Sequence, residues 1–346
     1  MKNSAKLKIP EIKKQGNEIT NKSLLEIGKY IANTAAERVK KAARKGTLGE
    51  LTGRTGATGD KIKTGDDIAD KVIWEMKPYF SRQGAGSVYV YSEEEGVYNL
   101  VDAGEKGFFI VIDPLDGSNN LRKGVVAPYV SVSVALGRLS DLSEKETLDS
   151  VRVGVVRDIF NNRLYYAAKG RGSAYAYDIH DGIETRLRTF DVEDSKVTVY
   201  TESKIEKSIA GIDIDRAKWD DKEKIRKEMQ ERLKVLSPFI HGKKCQRRLG
   251  SSILDFCKVA CGEYDFFISL GGRMKLHDLA AASRIIEESG GFFETDEPYE
   301  GNLLCDAFGM DDPKKAAELL KDTRFKAGAS ANPYIRNDAA YSRPEK

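Results

Sequence analysis

Cysteine is scarce and unpatterned in this 346-residue chain: Cys245, Cys257, Cys261 and Cys305 form no CxxC pair. That spacing predicts neither a disulfide framework nor a structural zinc site, and Cys257 and Cys261, one helical turn apart, read as small core residues. Histidine is rarer still, and His180, His241 and His277 make no HxxxH zinc motif and no nucleophile triad. No apolar run reaches the roughly 18 residues of a membrane helix and no apolar signal segment is found. A soluble cytoplasmic protein with no membrane partner is expected. Charge of one sign is missing too, since 57 Lys and Arg against 54 Asp and Glu leave only +3. So even a balance implies no nucleic-acid partner. With 40% hydrophobic residues, the chain can bury a sizeable core as one large unit or two lobes, which excludes global disorder.

What is present is ordered and without internal repeats. A capping-box pattern, Ser23-x-x-Glu26, followed by Leu24, Ile27, Gly28, Ile31, Ala35 and Val39 on one face, predicts a first helix. Residues 46–65, rich in Gly and Thr, predict a mobile loop that reads as a lid; a second helix should start near Asp66 and end before Pro78. From 87 to 177 the short runs SVYVYS, FFIVID, YVSVSVALG, VRVGVVRD and RLYYAA predict strands, and the alternation over 129–134 suits an antiparallel or mixed sheet. Beyond about 196, strands and helices alternate: KVTVYTES, a charged helix at 220–235, a helix over Ser251–Ala260, a strand in YDFFISL, a helix over Asp278–Ser289 and a short one at Pro313–Leu320. The organisation expected is an α+β lobe over 1–195 carrying the 46–65 loop, and an α/β lobe over 196–346 carrying a charged insertion at 204–246.

The chemistry concentrates where the apolar run Phe109–Ile112 stops on Asp113-Pro114-Leu115-Asp116-Gly117-Ser118-Asn119-Asn120. A strand delivers two carboxylates to a tight turn, and unpaired buried carboxylates are strongly disfavoured unless they coordinate a cation. A hard ion such as Mg²⁺ suits Asp113 and Asp116, and the fixed φ of Pro114 can turn the Leu115 carbonyl inward as a further ligand. Gly117, Ser118 and Asn119 then read as a helix start, whose free N–H groups suit a phosphate. Glu93 and Glu94 in YSEEEG also follow a strand directly, and Asp278 opens a helix with Leu279, Ala282, Ile285 and Ile286 facing inward. Alone, Asp278 would read only as an acid favoured by the helix dipole.

DPLDGSNN, YSEEEG and KLHDLAAASRIIEESGG resemble, in order and separation, the three signatures of the inositol monophosphatase and fructose-1,6-bisphosphatase superfamily. These are metal-dependent, lithium-sensitive sugar phosphatases, and the resemblance extends over roughly residues 20 to 295 through VGVVRDIFNNRLYYAAKGRGSAY and GSSILDFCKVACGEYDFFISL. It implies a layered α/β/α/β/α sandwich. It also implies two or three Mg²⁺ ions held by Glu93, Asp113, Asp116, Asp278 and the Leu115 carbonyl, with Asp113 and Glu93 facing the loosest site. Ser118 and Asp66 would orient the attacking water, Glu94 would support as an acid, and Gly117, Ser118 and Asn119 would bind the phosphate.

The chain departs from the family at His277, where Trp is common, and this histidine reads as packing or support rather than as a metal ligand. It departs also at Gly271, where the inositol branch carries an acid. Arg247, Arg248, Arg273 and Lys275 stand near the implied pocket and favour a second phosphate, so fructose 1,6-bisphosphate is the first expected substrate. Inositol 1-phosphate is next and a 3′-phosphoadenosine-type nucleotide third, with a homodimer or higher oligomer implied. The rival is a catalytically silent sugar-phosphate or nucleic-acid binder, suggested by basic clusters at Lys40–Lys45 and Lys243–Arg248.

Overall fold

The computed structural model describes residues 9–330 apart from 58, 60, 105, 125–128, 144–145, 188–208, 214–229, 231–245, 248, 297–298 and 300. The expected strand KVTVYTES, the expected helix at 220–235 apart from residue 230, and the 195/196 lobe boundary therefore lie outside the described residues. A two-residue hairpin, β1 (Lys14–Gln15) with β2 (Glu18–Ile19), leads into α1 (Asn21–Ala43). The expected cap shifts: Thr20, not Ser23, is the N-cap and accepts from the Ser23 amide at 3.2 Å. Ser23 is instead drawn into the first turn, where its Oγ accepts from the Lys13 amide at 2.7 Å.

The 46–65 segment is not simply a loop, because β3 (Leu51–Thr55) and β4 (Lys61–Lys63) pair there as an antiparallel hairpin. The helix after it, α2 (Thr64–Arg82), runs through Pro78 rather than ending before it. An interior proline costs a helix about 3 kcal/mol. Beyond it, however, Phe80 is fully buried with its ring centroid 5.3 Å from that of Phe108, and burying such a side chain returns about 1.5–3 kcal/mol. Met76 and Tyr79 add to that anchor.

The large sheet is built from β5 (Ser87–Ser92), β6 (Gly96–Val101), β7 (Gly107–Asp116), β8 (Ser131–Arg138), β9 (Val153–Asp158), β10 (Arg163–Ala168), β11 (Ala174–Asp178) and β12 (Ile183–Leu187). Their order is β12-β11-β10-β9-β8-β7-β5-β6. Only β5 and β7 pair in parallel, so the sheet is mixed. The Ser/Val alternation of β8 does not mark a solvent face: Ser131 and Ser133 are buried and lie in register with Asp116 and Asp113. Both faces of the sheet are covered, which leaves alternation no water to report.

The second sheet takes β13 (Ala210–Asp213), β14 (Gln246–Arg247), β15 (Phe266–Met274), β16 (Phe292–Thr295) and β17 (Phe325–Ser330) in the order β14-β13-β15-β17-β16. Between the sheets lie α3 (Ser252–Ala260) and α4 (Leu276–Glu288), while α5 (Leu303–Gly309) and α6 (Pro313–Asp322) pack on each other and on β6 at the edge of the large sheet. On the outer face of the large sheet, α1 and α2 bury Leu24, Ile31 and Val72 against Val90, Ile110 and Val134. On its inner face, Phe109, Val111 and Val156 join α3, α4 and Phe267 of the second sheet in one core. The described residues thus carry four layers of an α/β/α/β sandwich. Cys257 and Cys261 are unbridged at this inner core, and no described helix is long and apolar enough to cross a membrane.

Close approach of α4 to the sheet depends on Gly154, where an added Cβ would stand 2.2 Å from the Ala281 carbonyl oxygen. Backbone, unlike a long side chain, cannot yield cheaply. Gly154→Ala is expected to destabilise the fold by about 1–3 kcal/mol, read as a lower urea midpoint with unchanged slope.

Candidate metal and phosphate site

The carboxyl end of β7 is where the layers open. Its pairing with β8 breaks between Asp113 and Asp116, and this irregularity carries Pro114 and Leu115 out of the ladder. The Leu115 amide donates to Asp113 Oδ1 at 3.0 Å, and its side chain anchors in the outer core. Gly117 follows at φ +78, where a Cβ would meet the Tyr129 carbonyl at 2.6 Å. No other residue fits there. The helix start expected at Ser118 is a 3-10 helix, Ser118–Gly124.

Three helix first turns face this strand end. Asp66 sits in the first turn of α2 and accepts from the Lys63 amide at 2.7 Å, and Asp278 does the same for α4 with the Lys275 amide at 2.7 Å. Asp116 reaches the start of α3: its Oδ2 accepts from the Ser251 hydroxyl and, at 3.2 Å, from the Ile253 amide. Carboxylate oxygens of Asp113, Asp116 and Asp278 fall within 4.8 Å of one another, and those of Glu93 and Asp113 do so with a ring nitrogen of His277. A cleft of about 700 Å³ is lined by Asp66, Glu93, Glu94, Asp113, Leu115, Asp116, Gly117, Ser118, Asn119 and Asp278. Of the residues expected from sequence, Lys275 lies instead against the carboxylates, Nζ 3.7 Å from Glu93. The side chains of Arg247 and Arg273, and Arg248 as a whole, lie outside the described residues.

The electrostatics divide these acids. Burial, then Glu93, Asp116 and Asp278, push the Asp113 carboxyl well above the usual range. Burial and Asp278 lift Asp116 to about 7, and burial with Glu93 raises Asp278. Burial acts upward on Glu93 too, but His277 and Lys275 more than offset it and hold that group down at about 2. Crowded carboxylates that resist ionisation for want of positive charge are what a divalent ion relieves. The donor set, all oxygen at Asp113, Asp116 and Asp278, fits a hard cation.

Sequence reasoning missed several residues here, because partners distant in the chain supply the signal. Lys63 Nζ donates to Ser118 Oγ at 2.7 Å, and with Lys61 it lines the cleft. Asn120 ties the turn to both walls, donating to the carbonyls of Tyr129 at 2.7 Å and Leu249 at 3.0 Å. Ser92 shapes the YSEEEG turn: its hydroxyl donates to Asp70 and accepts from the Glu94 amide at 3.2 Å. The β3–β4 hairpin closes over that turn, with the Ala57 amide donating to the Glu94 carbonyl at 2.8 Å and Arg54 pairing with Asp67 and Glu95.

A two-sheet sandwich with an acid-lined cleft at its strand ends is a scaffold whose residues can hold metal ions beside a bound anion. The chain belongs to the inositol monophosphatase family, whose model matches residues 20–320. It is 26% identical over 269 residues to a fructose-1,6-bisphosphatase/inositol-1-monophosphatase of Methanothermobacter thermautotrophicus, covering 76% of this chain and 82% of that protein. A bifunctional NADP phosphatase/NAD kinase of Methanococcus maripaludis is 28% identical over 290 residues, 82% of this chain, but the chain spans only 45% of that relative's length. The crystal structure of extragenic suppressor protein SuhB from Bartonella henselae shares the fold, with a TM-score of 0.57 and 20% identity, covering 90% of this chain and 95% of that one.

Because Asp116 in the fold sits near 7, above its value of about 4 in an unfolded chain, its protonated form stabilises the metal-free protein at low pH. That contribution is complete below about pH 4 and disappears as pH rises through about 7. The metal-free thermal midpoint should therefore fall between about pH 5 and pH 7.5 more steeply than that of Asp116→Asn. Scanning calorimetry of both proteins without metal checks this, and parallel pH profiles would count against it.

Proposed function

We propose that this chain is a Mg²⁺-dependent phosphomonoesterase acting on a small sugar or polyol phosphate, fructose 1,6-bisphosphate first and inositol 1-phosphate beside it. The observation that carries the reading is the convergence of Glu93, Asp113, Asp116 and Asp278 on one cleft next to the Gly117–Ser118 turn. These four acids, with the Leu115 carbonyl, are the residues that would hold the ions. Bound divalent ions supply charge neutralisation and lower the pKa of the attacking water.

The chain's own groups account for the rest. The turn at Gly117 and Ser118 presents backbone N–H groups to the phosphate, and the glycine lets the backbone approach closely. Ser118 Oγ accepts from Lys63, which leaves its own proton to donate. With Asp66 across the same cleft, it orients the water for in-line displacement. Lys61 and Lys63 place positive charge on the cleft wall, which suits an anionic substrate.

A second reading rests on the similarity over most of this chain to the NADP phosphatase/NAD kinase relative: a nucleotide phosphate, of the 2′- or 3′-phosphoadenosine type, as substrate. Retention of all four acids speaks against a silent binder, which has no use for them together.

Phosphate release from fructose 1,6-bisphosphate, inositol 1-phosphate, NADP⁺ and 3′-phosphoadenosine 5′-phosphate, each with and without Mg²⁺, tests these readings. The expected result is Mg²⁺-dependent release, fastest from a sugar or polyol phosphate, with Asp66→Asn slower by about 10²–10⁴-fold and Asp116→Asn inactive. Preference for NADP⁺ would move the assignment to the second reading. Absence of Mg²⁺-dependent release from every substrate would refute both.

A further inference from the structure

His277 stands at the second position of α4, fully buried, one residue before Asp278. Its Nδ1 lies 3.1 Å from the hydroxyl of Tyr91, itself buried and kept protonated by that burial. The opposite nitrogen points into the acid cluster, Nε2 lying 3.6 Å from Glu93 Oε1 and 3.8 Å from Asp278 Oδ1. Together with an Asp113 oxygen, the Glu93 and His277 atoms fit within one 4.8 Å span. Ligand atoms each about 2.1 Å from one ion lie between about 3 and 4.2 Å apart, a range that holds the 3.6 Å from Nε2 to Glu93, while the Asp113 oxygen lies within 4.8 Å of both.

Resting on the metal-dependent reading above, we propose that His277 Nε2 is a direct ligand at the Glu93–Asp113 subsite, and that this subsite selects a borderline transition ion such as Mn²⁺ over Mg²⁺. The sequence reading gave His277 packing or support. The geometry gives it both walls of a site. A ligating histidine is oriented by the partner of its other nitrogen, and Tyr91 is placed for that role: in the tautomer with Nδ1–H its oxygen accepts from that group, which leaves the Nε2 lone pair facing Glu93 and Asp113. An imidazole nitrogen raises affinity for transition ions, whereas Mg²⁺ prefers oxygen alone. The Asp113–Asp116–Asp278 subsite, all carboxylate, keeps its preference for a hard ion.

The probe is Mn²⁺ added at one equivalent to the full-length protein, with electron spin-echo modulation reading nitrogen coupled to the ion. Wild type should show the coupling of a bound imidazole. His277→Gln should lose it, with Mn²⁺ affinity weaker by about 10–100-fold and Mg²⁺ affinity reduced by a smaller factor. Tyr91→Phe should keep the nitrogen signal while binding Mn²⁺ more weakly. A wild-type Mn²⁺ complex without nitrogen coupling overturns the inference and leaves the phosphatase reading standing. A wild type that binds neither Mn²⁺ nor Mg²⁺ overturns both.

Discussion

Mutual repulsion among Asp113, Asp116 and Asp278 is the constraint around which the rest of the site is arranged. Each of the two that can be held by a helix start is held by one: Asp116 by Ser251 and the Ile253 amide, Asp278 by the Lys275 amide. Such end-of-helix interactions contribute about 0.3–1 kcal/mol each at exposed positions. Desolving a carboxylate costs several kcal/mol per ion. The helix starts therefore orient these acids without neutralising them, and the deficit remains at the strand end for a cation to fill. A fold whose central helices α3 and α4 aim their first turns at one strand terminus has built that deficit in.

The acids and the hairpin above them are held with unequal force. Asp113 belongs to a strand whose neighbours Phe109 and Val111 are fully buried, and Asp278 to a helix buried along most of its length. The β3–β4 hairpin meets the YSEEEG turn through the Ala57–Glu94 backbone hydrogen bond and the pairing of half-exposed Arg54 with Glu95, and Arg54 also reaches Asp67 of α2. Exposed ion pairs of this kind are worth about 0–1 kcal/mol. The acids thus sit in buried elements, while the hairpin that carries Lys61 is held by exposed ion pairs together with the burial of Ile62, and Lys63 is fixed at the start of α2. Gly56 belongs to the same arrangement, since a Cβ there would stand 2.6 Å from Glu94 Oε2.

Legibility in the sequence followed the range of the interaction. DPLDGSNN could be read because strand, turn and acids are contiguous, and Gly117 stands at the one point where the backbone leaves room for nothing larger. Most strands and the helices around Asp66 and Asp278 were legible from periodicity. The end of α2 was misread because a local rule about Pro78 competes with a tertiary fact, the burial of Phe80 against Phe108. Hairpin β3–β4 hides in a Gly- and Thr-rich stretch whose apolar content gives no period. Lys63 and Ser118 meet across 55 positions, and Tyr91 and His277 across 186. No window of sequence contains such pairs.

The split in charge state between Glu93 and its neighbours separates two subsites that the sequence presents as one cluster. Glu93 already has Lys275 Nζ at 3.7 Å and the His277 ring at 3.6 Å, and its carboxyl is held down at about 2. Burial and neighbouring carboxylates push up Asp113 and Asp116, and Asp278 stays raised although His277 stands 3.8 Å away, so all three resist ionisation. A cation bound among those three is drawn by carboxylates whose surroundings leave them short of positive charge. A cation approaching Glu93 must share it with Lys275, so charge alone gains less there and the donor chemistry of the subsite decides which ion binds. Difference in affinity between the subsites follows from where α4 places one ammonium and one imidazole, and it requires no difference in the number of acids.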